Sequence, residues 1–179
     1  MNELSEYEAI VYDLDGTLVH LDVDWTAVAG DVATTFAGAG IEVLDDDLWS
    51  LRERAAEADL TDEVEEIIAE HEREGARTSR RLALADHAAE DGRALGVCSL
   101  NCEEACSIAL DTHGIRESFA AIVGRDTVDV AKPDPEPLLA TVDRVDSTPE
   151  ESAFVGDTDR DALTAERAGM DFYYVSDLV

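Results

Sequence analysis

Short apolar runs alternate with amphipathic stretches along most of this chain. Five of the runs carry β-branched or aromatic residues and are followed by Asp, Ser or Gly, a pattern that favours buried strands. The predicted strands are Ala9–Tyr12, Ala94–Cys98, Ala120–Val123, Ala153–Val155 and Phe172–Val175.

Helical patterns fill the intervals between the later strands, over Asn101–Thr112, Pro135–Val145 and Asp159–Ala168. Alternation of strands and helices is typical of a mostly parallel sheet that helices cover on both faces. The sequence therefore predicts an α/β fold with a Rossmann-like, five-stranded, mostly parallel sheet.

About eighty residues without a strand pattern separate the first predicted strand from the second. A structureless loop of that length is not expected in a compact domain. Helical patterns occur near Trp25–Ala37, Asp46–Ala58, Asp62–Glu74 and Ala76–Glu90. We predict a small helical cap at residues 19–78, inserted after the first strand. A helix over about 79–91 then returns to a core made of residues 1–18 and 79–179.

The charge balance is strongly acidic. The chain has 179 residues, of which 43 are acidic and 13 basic, for a net charge of -30. This composition lacks the basic surface that nucleic acids or anionic membranes require. Acidic residues spread along the whole chain suit molar salt, which screens their repulsion. The alternative is an acidic protein of a dilute cytoplasm.

Other sequence features bear on location and on the cysteines. No apolar run reaches the length of a membrane span, and the first residues are polar and acidic, so we expect a cytoplasmic protein. The three cysteines, Cys98, Cys102 and Cys106, are odd in number and lack the paired spacing of a metal site, so we predict buried thiols. Their spacing of four would put them on one helical stripe or at its entry. The sequence leaves the oligomeric state open between monomer and homodimer.

The candidate chemistry lies where strands end, which is where parallel α/β sheets bind ligands. Asp13 and Asp15 follow the first strand in the segment Asp-Leu-Asp-Gly-Thr, and Gly16 permits an unusual turn there. Two carboxylates so placed indicate a metal site, or a nucleophile beside a general acid. The alternative is a turn or helix-cap cluster.

Polar residues also follow the second and fourth strands. Ser99 and Asn101 could offer donors to an anion, although Asn101 could equally cap a helix. Asp157 and Asp161 are four residues apart and would share a helix face, with Asp159 predicted as the N-cap.

Lys132 is the only lysine in a chain whose other basic residues are Arg. That selectivity indicates a position that needs a compact ammonium, such as a contact to phosphate. Hard oxygen ligands beside an anion site favour Mg²⁺.

These residues resemble the haloacid dehalogenase superfamily of phosphotransferases. The segment from Asp13 to Thr17 is similar to its first motif, Ser99 to its second, Lys132-Pro133 to its third, and Gly156-Asp157 with Asp161 to its fourth. The run from Val123 through Pro137 resembles the phosphoglycolate phosphatase-like branch.

The resemblance implies a Mg²⁺-dependent phosphatase of a small phosphorylated metabolite, with phosphoglycolate the first substrate to consider. Asp13 would be the nucleophile that forms an aspartyl phosphate, and Asp15 the general acid and base. Ser99, Asn101 and Lys132 would bind the phosphoryl group. The implied metal ligands are Asp13, the backbone carbonyl of Asp15 and Asp157, with Asp161 acting on the metal through water or from beside these ligands.

Two alternatives stay open at this stage, a phosphomutase of the same family and a catalytically inert phosphate-binding regulatory protein. Asp15 argues against dehalogenation, because family members that cleave carbon–halogen bonds lack this second Asp. In the cap, His20, Trp25, Arg52 and Arg54 could face the substrate, but packed or solvated structural roles are the more usual ones.

Overall fold

The computed structural model describes residues 4–43 and 47–179. In these residues the strands are β1 (Ala9–Tyr12), β2 (Val19–His20), β3 (Arg80–Arg81), β4 (Ala94–Cys98), β5 (Ala121–Val123), β6 (Ser152–Gly156) and β7 (Asp171–Tyr174). The α-helices are α1 (Trp25–Gly38), α2 (Leu48–Ala55), α3 (Thr61–Arg77), α4 (Ala83–Glu90), α5 (Glu103–Thr112), α6 (Glu136–Arg144), α7 (Asp159–Ala168) and α8 (Val175–Leu178).

Five strands form one parallel sheet, which confirms the predicted five-stranded parallel sheet; their order is β5-β4-β1-β6-β7. Tyr12 at the end of β1 pairs with Val97 of β4 and with Val155 of β6. This register brings the carboxyl ends of the three central strands to the same edge of the sheet. The residues that follow these strands therefore meet there.

Helices cover both faces of the sheet. Ile10 and Tyr12 of β1 belong to a buried apolar cluster that includes residues of α4 and α5. Val11, whose side chain points the opposite way, packs in a second cluster with Leu138 of α6 and Ala165 of α7. The alternation of side chains along one strand thus supplies both halves of the core.

Helices α1, α2 and α3 lie between β1 and β4 and have an apolar core of their own. Its buried members include Val28, Phe36, Leu51 and Ile68. Helix α3 also contributes Ala69 and Ala76 to the cluster beneath the sheet. This packing supports a cap at residues 19–78 on a core of 1–18 and 79–179, a division that stays a prediction.

A short antiparallel ribbon joins cap and core, and the sequence patterns did not predict it. Val19 pairs with Arg81 and His20 with Arg80. The predicted helical stretch Ala76–Glu90 is therefore wrong as one element: α3 ends at Arg77, β3 follows, and α4 begins at Ala83. Strands of two residues are too short to show a period. The predicted helix Asp46–Ala58 begins outside the described residues at Asp46 and is observed as α2.

The cysteines are buried and free, as predicted, but they do not share one helical stripe: Cys98 ends β4, Cys102 is the N-cap of α5 and Cys106 lies in that helix. Burial raises the pKa of Cys98 to about 12 and that of Cys106 well above its usual range, so both are neutral thiols. In the part of the chain that the structure describes, no helix has both the length and the apolar character needed to cross a membrane.

Candidate active site

A cleft of about 510 Å³ opens at the carboxyl end of the sheet, between the core and the cap helices. All seven residues that the sequence singled out for catalysis, phosphate binding or metal binding line it. They are Asp13, Asp15, Ser99, Asn101, Lys132, Asp157 and Asp161. The shared register of the central strands is the reason that such distant residues meet.

Asp13 directly follows β1, and its backbone N–H donates to the carbonyl of Val155 at 2.8 Å. Its side chain is nearly buried, with Lys132 Nζ donating to Oδ1 at 2.9 Å. Burial raises the pKa of Asp13 to about 6; Lys132 opposes that rise and the Asp161 carboxylate adds to it. The group is therefore a carboxylate at neutral pH that is poorly solvated and available to a partner.

Lys132 is buried between two carboxylates. Its Nζ donates to Asp161 Oδ1 at 2.5 Å as well as to Asp13, and it lies 5.4 Å from the centre of the Phe154 ring. Burial alone would lower the pKa of this ammonium, but the charges of Asp13 and Asp161 outweigh burial and raise it above its usual range. Lys132 is therefore a permanent positive charge in the floor of the cleft.

Three carboxylates converge beside this lysine. Oxygen atoms of Asp13, Asp157 and Asp161 all lie within 4.8 Å of one another. Burial, followed by the neighbouring charge of Asp161, raises the pKa of Asp157. Carboxylates held this close repel one another, and a divalent cation relieves that repulsion.

Gly16 allows the approach of Asp157. Its φ of +84° lies in the left-handed region that favours glycine, and a Cβ built there would be 2.2 Å from Asp157 Oδ2. The glycine of the first motif therefore makes room for a carboxylate of the fourth.

Asp161 has a second role that corrects a prediction. The N-cap of α7 is Thr158, and Asp159 does not cap the helix. The Thr158 N–H donates to Asp161 Oδ2 at 3.2 Å and the Asp161 N–H donates to Thr158 Oγ1 at 3.3 Å, which forms a capping box. Thr158 Oγ1 also donates to Asp161 Oδ2 at 2.5 Å. Asp159 instead accepts a hydrogen bond from the Tyr174 hydroxyl at 2.8 Å.

Asp15 lies on the cap side of the cleft. Its Oδ1 accepts a hydrogen bond from the backbone N–H of Leu21 at 2.9 Å and lies 3.4 Å from His20 Nδ1. Its carboxylate is not one of the three that converge. Asp15 therefore lines the same cleft as Asp13 but accepts no hydrogen bond from Lys132, whose described acceptors are Asp13 and Asp161.

Ser99 and Asn101 form a buried pair at the start of α5. Ser99 Oγ donates to Asn101 Oδ1 at 3.0 Å, and the Asn101 backbone N–H donates to Ser99 Oγ at 3.2 Å. The N-cap of α5 is Cys102, so Asn101 does not cap this helix. Asn101 Nδ2 turns instead to Glu72 of the cap, at 3.2 Å.

Sequence reasoning missed further residues of the cleft and its walls, among them Trp49, Glu72, Arg125 and Arg160. Glu72 had a visible signal, because it shares the helical stripe of Val64, Ile68 and Ala76, which are buried. An acidic residue in an apolar stripe indicates a buried partner. That partner, Arg125, comes from the loop after β5, and no local pattern connects the two.

The four candidate substrate-facing residues of the cap have different surroundings. Trp25 lines the cleft next to Trp49, with ring centres 6.3 Å apart. Arg52 pairs with Glu65 at 2.5 Å, whereas Arg54 lies over the Phe36 ring, 5.8 Å from its centre. His20 contacts Asp15 from the rim.

Comparison with known proteins assigns the chain to a family. The family model described as haloacid dehalogenase-like hydrolase matches residues 10–175, so the chain belongs to this family. Its class within the family is that of a phosphoric monoester hydrolase.

Curated relatives narrow the assignment. A phosphoglycolate phosphatase of Cereibacter sphaeroides is 32% identical over 181 residues, which cover 91% of this chain and 82% of the relative. A phosphoglycolate phosphatase of Salmonella paratyphi A is 30% identical over 208 residues, with 94% and 81% covered. The chain is a phosphoglycolate phosphatase-like member of the family.

Solved structures share the fold. A predicted phosphoglycolate phosphatase from Haemophilus somnus has a TM-score of 0.67 at 19% identity, covering 96% of this chain and 89% of its own. CbbY from Rhodobacter sphaeroides, solved in complex with phosphate, has a TM-score of 0.68 at 23% identity, with 94% and 85% covered.

Proposed function

We propose that this protein is a Mg²⁺-dependent phosphatase that hydrolyses a small phosphate monoester through an aspartyl phosphate on Asp13. The observation that carries the proposal is the meeting of Asp13, Lys132, Asp157 and Asp161 in one cleft, with oxygens of the three carboxylates within 4.8 Å and Lys132 Nζ 2.9 Å from Asp13.

The donor set fits Mg²⁺. The three carboxylates offer hard oxygen ligands, and burial, together with the charge of Asp161, raises the pKa values of Asp13 and Asp157. Asp13, the backbone carbonyl of Asp15 and Asp157 would hold the ion. Asp161 would act from beside them, because both its oxygens already accept hydrogen bonds. When bound, Mg²⁺ supplies positive charge that lets an anionic nucleophile approach an anionic ester.

In the first step, an oxygen of Asp13 attacks phosphorus and forms a new P–O bond. The P–O bond to the alcohol breaks, and Asp15 gives its proton to the departing oxygen. Lys132 and Ser99 hold the oxygens of the transferring phosphoryl group and stabilise their charge. Asp15 is suited to this role because it lies in the cleft without a lysine partner.

In the second step, Asp15, now ionised, takes a proton from water, and the water oxygen attacks phosphorus. The P–O bond to Asp13 breaks, which restores its carboxylate and releases inorganic phosphate. Asp15 is then protonated again for the next ester.

Phosphoglycolate is the first substrate that we propose, because the curated relatives are phosphoglycolate phosphatases at 30–32% identity. The alcohol part would face the cap helices, whose Trp25 and Trp49 line the same cleft as Arg160 of α7. Arg160 supplies the positive charge that a carboxylate such as that of glycolate needs.

The test is phosphate release in molar KCl from p-nitrophenyl phosphate, with Mg²⁺ and with EDTA, followed by a panel that includes phosphoglycolate. We expect release with Mg²⁺ only. Asp13→Asn, which is nearly isosteric but not nucleophilic, should be inactive and folded. Turnover of Asp13→Asn at the wild-type rate, or no release from any ester, would contradict the proposal.

A further inference from the structure

Glu72 of α3 is a buried acid that reaches from the cap into the phosphate end of the cleft. Its side chain is 1% exposed. Oε1 accepts hydrogen bonds from Arg125 Nη1 at 2.7 Å and from Asn101 Nδ2 at 3.2 Å, and Oε2 accepts one from the Cys102 backbone N–H at 3.0 Å. All three neighbours are donors, so the site is built for a carboxylate.

A chain of hydrogen bonds with defined donors and acceptors connects Glu72 to Ser99 through Asn101. A carboxylate only accepts, so Asn101 turns its amide nitrogen to Glu72 and its amide oxygen to Ser99. Ser99 Oγ is held between Asn101 Oδ1 at 3.0 Å and Asn101 N at 3.2 Å. When this hydroxyl hydrogen rotates towards a phosphoryl oxygen it leaves Asn101 Oδ1, while the Asn101 backbone N–H still donates to Ser99 Oγ and holds it in place.

We propose that Glu72 is a positioning residue of the phosphate site, which sets the places of Asn101 and the start of α5 and thereby of Ser99 Oγ. This inference rests on the proposed function, in which Ser99 holds the phosphoryl group. Arg125 neutralises the Glu72 charge, so the acid can stand near a phosphate dianion without repelling it.

Glu65 offers a matched control. It lies on the same helix and accepts a hydrogen bond from the same Arg125, at 3.0 Å from Nε, but among the described residues its hydrogen bonds come from Arg125 and Arg52 and not from residues 99–102. It is also 32% exposed and pairs with Arg52. If α3 and Arg125 serve only to hold the cap, both substitutions act through stability and leave the phosphate Kd of the folded protein unchanged. If Glu72 positions Ser99, its substitution alone changes that Kd.

The experiment compares Glu72→Gln with Glu65→Gln in molar KCl with Mg²⁺. Calorimetry gives the Kd of inorganic phosphate, kinetics give kcat and KM, and thermal melts give Tm. We expect Glu72→Gln to weaken phosphate binding about tenfold and to lower kcat, because its amide N–H faces a donor. Glu65→Gln should change the phosphate Kd by less than about twofold. Equal effects of the two variants, or none, would overturn the inference.

A double-mutant cycle with Asn101→Ala tests whether Glu72 acts on Ser99 through Asn101. This variant removes the link to Ser99 and leaves the pair of Glu72 with Arg125. In that background the effect of Glu72→Gln on the phosphate Kd should shrink from about tenfold to about threefold. An unchanged effect would show that Glu72 does not act through Asn101.

If Glu72→Gln does not fold, Glu72→Asp replaces it, since that carboxylate keeps its charge but falls short of Asn101. Weaker phosphate binding supports the inference, and an unchanged Kd overturns it. The proposed function can fail separately from this inference. If the wild-type protein binds phosphate but hydrolyses no ester, the proposed reaction is contradicted, and the comparison of Kd values still tests the role of Glu72. A wild-type protein that binds no phosphate contradicts both.

Discussion

The ammonium group of Lys132 pairs with two carboxylates at the carboxyl end of the sheet. Lys132 Nζ donates to Asp13 at 2.9 Å and to Asp161 at 2.5 Å, and its side chain is 2% exposed. This geometry explains why position 132 is Lys in a chain whose other Lys or Arg positions are all Arg. A planar guanidinium is too broad for a closed position between two carboxylates and an aromatic ring.

Lys132→Arg should therefore lose most of its turnover although it keeps the charge. We expect kcat to fall about 100-fold, the usual effect of losing one donor to a developing oxyanion. Steady-state kinetics in molar KCl with a thermal melt of the same sample test this. Near-wild-type turnover would mean that any positive charge serves at this position.

The raised pKa values of Asp13 and Asp157 predict that Mg²⁺ binding depends on pH. Both carboxylates must lose their protons to bind a cation, and burial raises the pKa of Asp13 to about 6. The affinity for Mg²⁺ should rise with pH from 5 to 7 and level off above. Calorimetric titration with Mg²⁺ at several pH values measures it, and equal affinity at pH 5 and 7 would count against these ligands.

Site residues could be predicted from the sequence where a motif directly follows a predicted strand. Asp13, Ser99 and Asp157 follow strands that pair side by side, so chain order was enough to bring them together. The cap of α7 was predicted wrongly at Asp159, because the Thr158–Asp161 capping box competes with it. The contact of Glu72 with Arg125 could not be predicted, since it depends on how the cap packs.

At the scale of elements, the long strands and helices were predictable and the joints between cap and core were not. The parallel strands have apolar runs that turn residues bound, and these patterns survive in the fold. The β2–β3 ribbon is set by pairing of residues 60 positions apart, such as His20 with Arg80. Neither strand is long enough for its pattern to be read.

Helix α3 meets the start of the cap at Gly75. A Cβ there would lie 2.6 Å from Val23 Cγ2 and 2.9 Å from the backbone oxygen of Asp22. Gly75→Ala should therefore destabilise the protein by about 1–3 kcal/mol, since backbone has to move to admit the methyl group. Thermal and denaturant unfolding in molar KCl measure the change.

Gly30 of α1 is the matched control, because a Cβ there would meet nothing within 4 Å. Gly30→Ala should leave stability unchanged or raise it by up to about 1 kcal/mol, as alanine is the better helix former. A Gly75→Ala variant as stable as Gly30→Ala would show that this contact does not constrain the cap.

At the scale of the whole molecule, the main feature is the large negative net charge. A net charge of -30 on 179 residues opposes compaction through self-repulsion unless salt screens it. At 1 M salt the Debye length is about 3 Å, against about 30 Å at 0.01 M. Stability and activity are therefore expected to depend on the ionic strength of the solvent.

We predict that the far-ultraviolet circular dichroism and the activity of the protein are lost as KCl falls from molar to millimolar in the absence of divalent ions. Unfolding increases the spacing of the charges and lowers their repulsion. Sucrose at the same osmolality is the control, because it does not screen charge. A Tm that is independent of KCl would contradict a dependence on screening.

The central claim is that phosphate passes through a covalent bond to Asp13. The most direct measurement traps this bond: substrate and Mg²⁺ are mixed with enzyme, the reaction is quenched, and borohydride reduces any aspartyl phosphate to homoserine for mass spectrometry. The account predicts homoserine at position 13 in the wild-type protein and none in Asp13→Asn. Phosphate release at the normal rate with residue 13 unmodified, or with the label on another carboxylate, would contradict it.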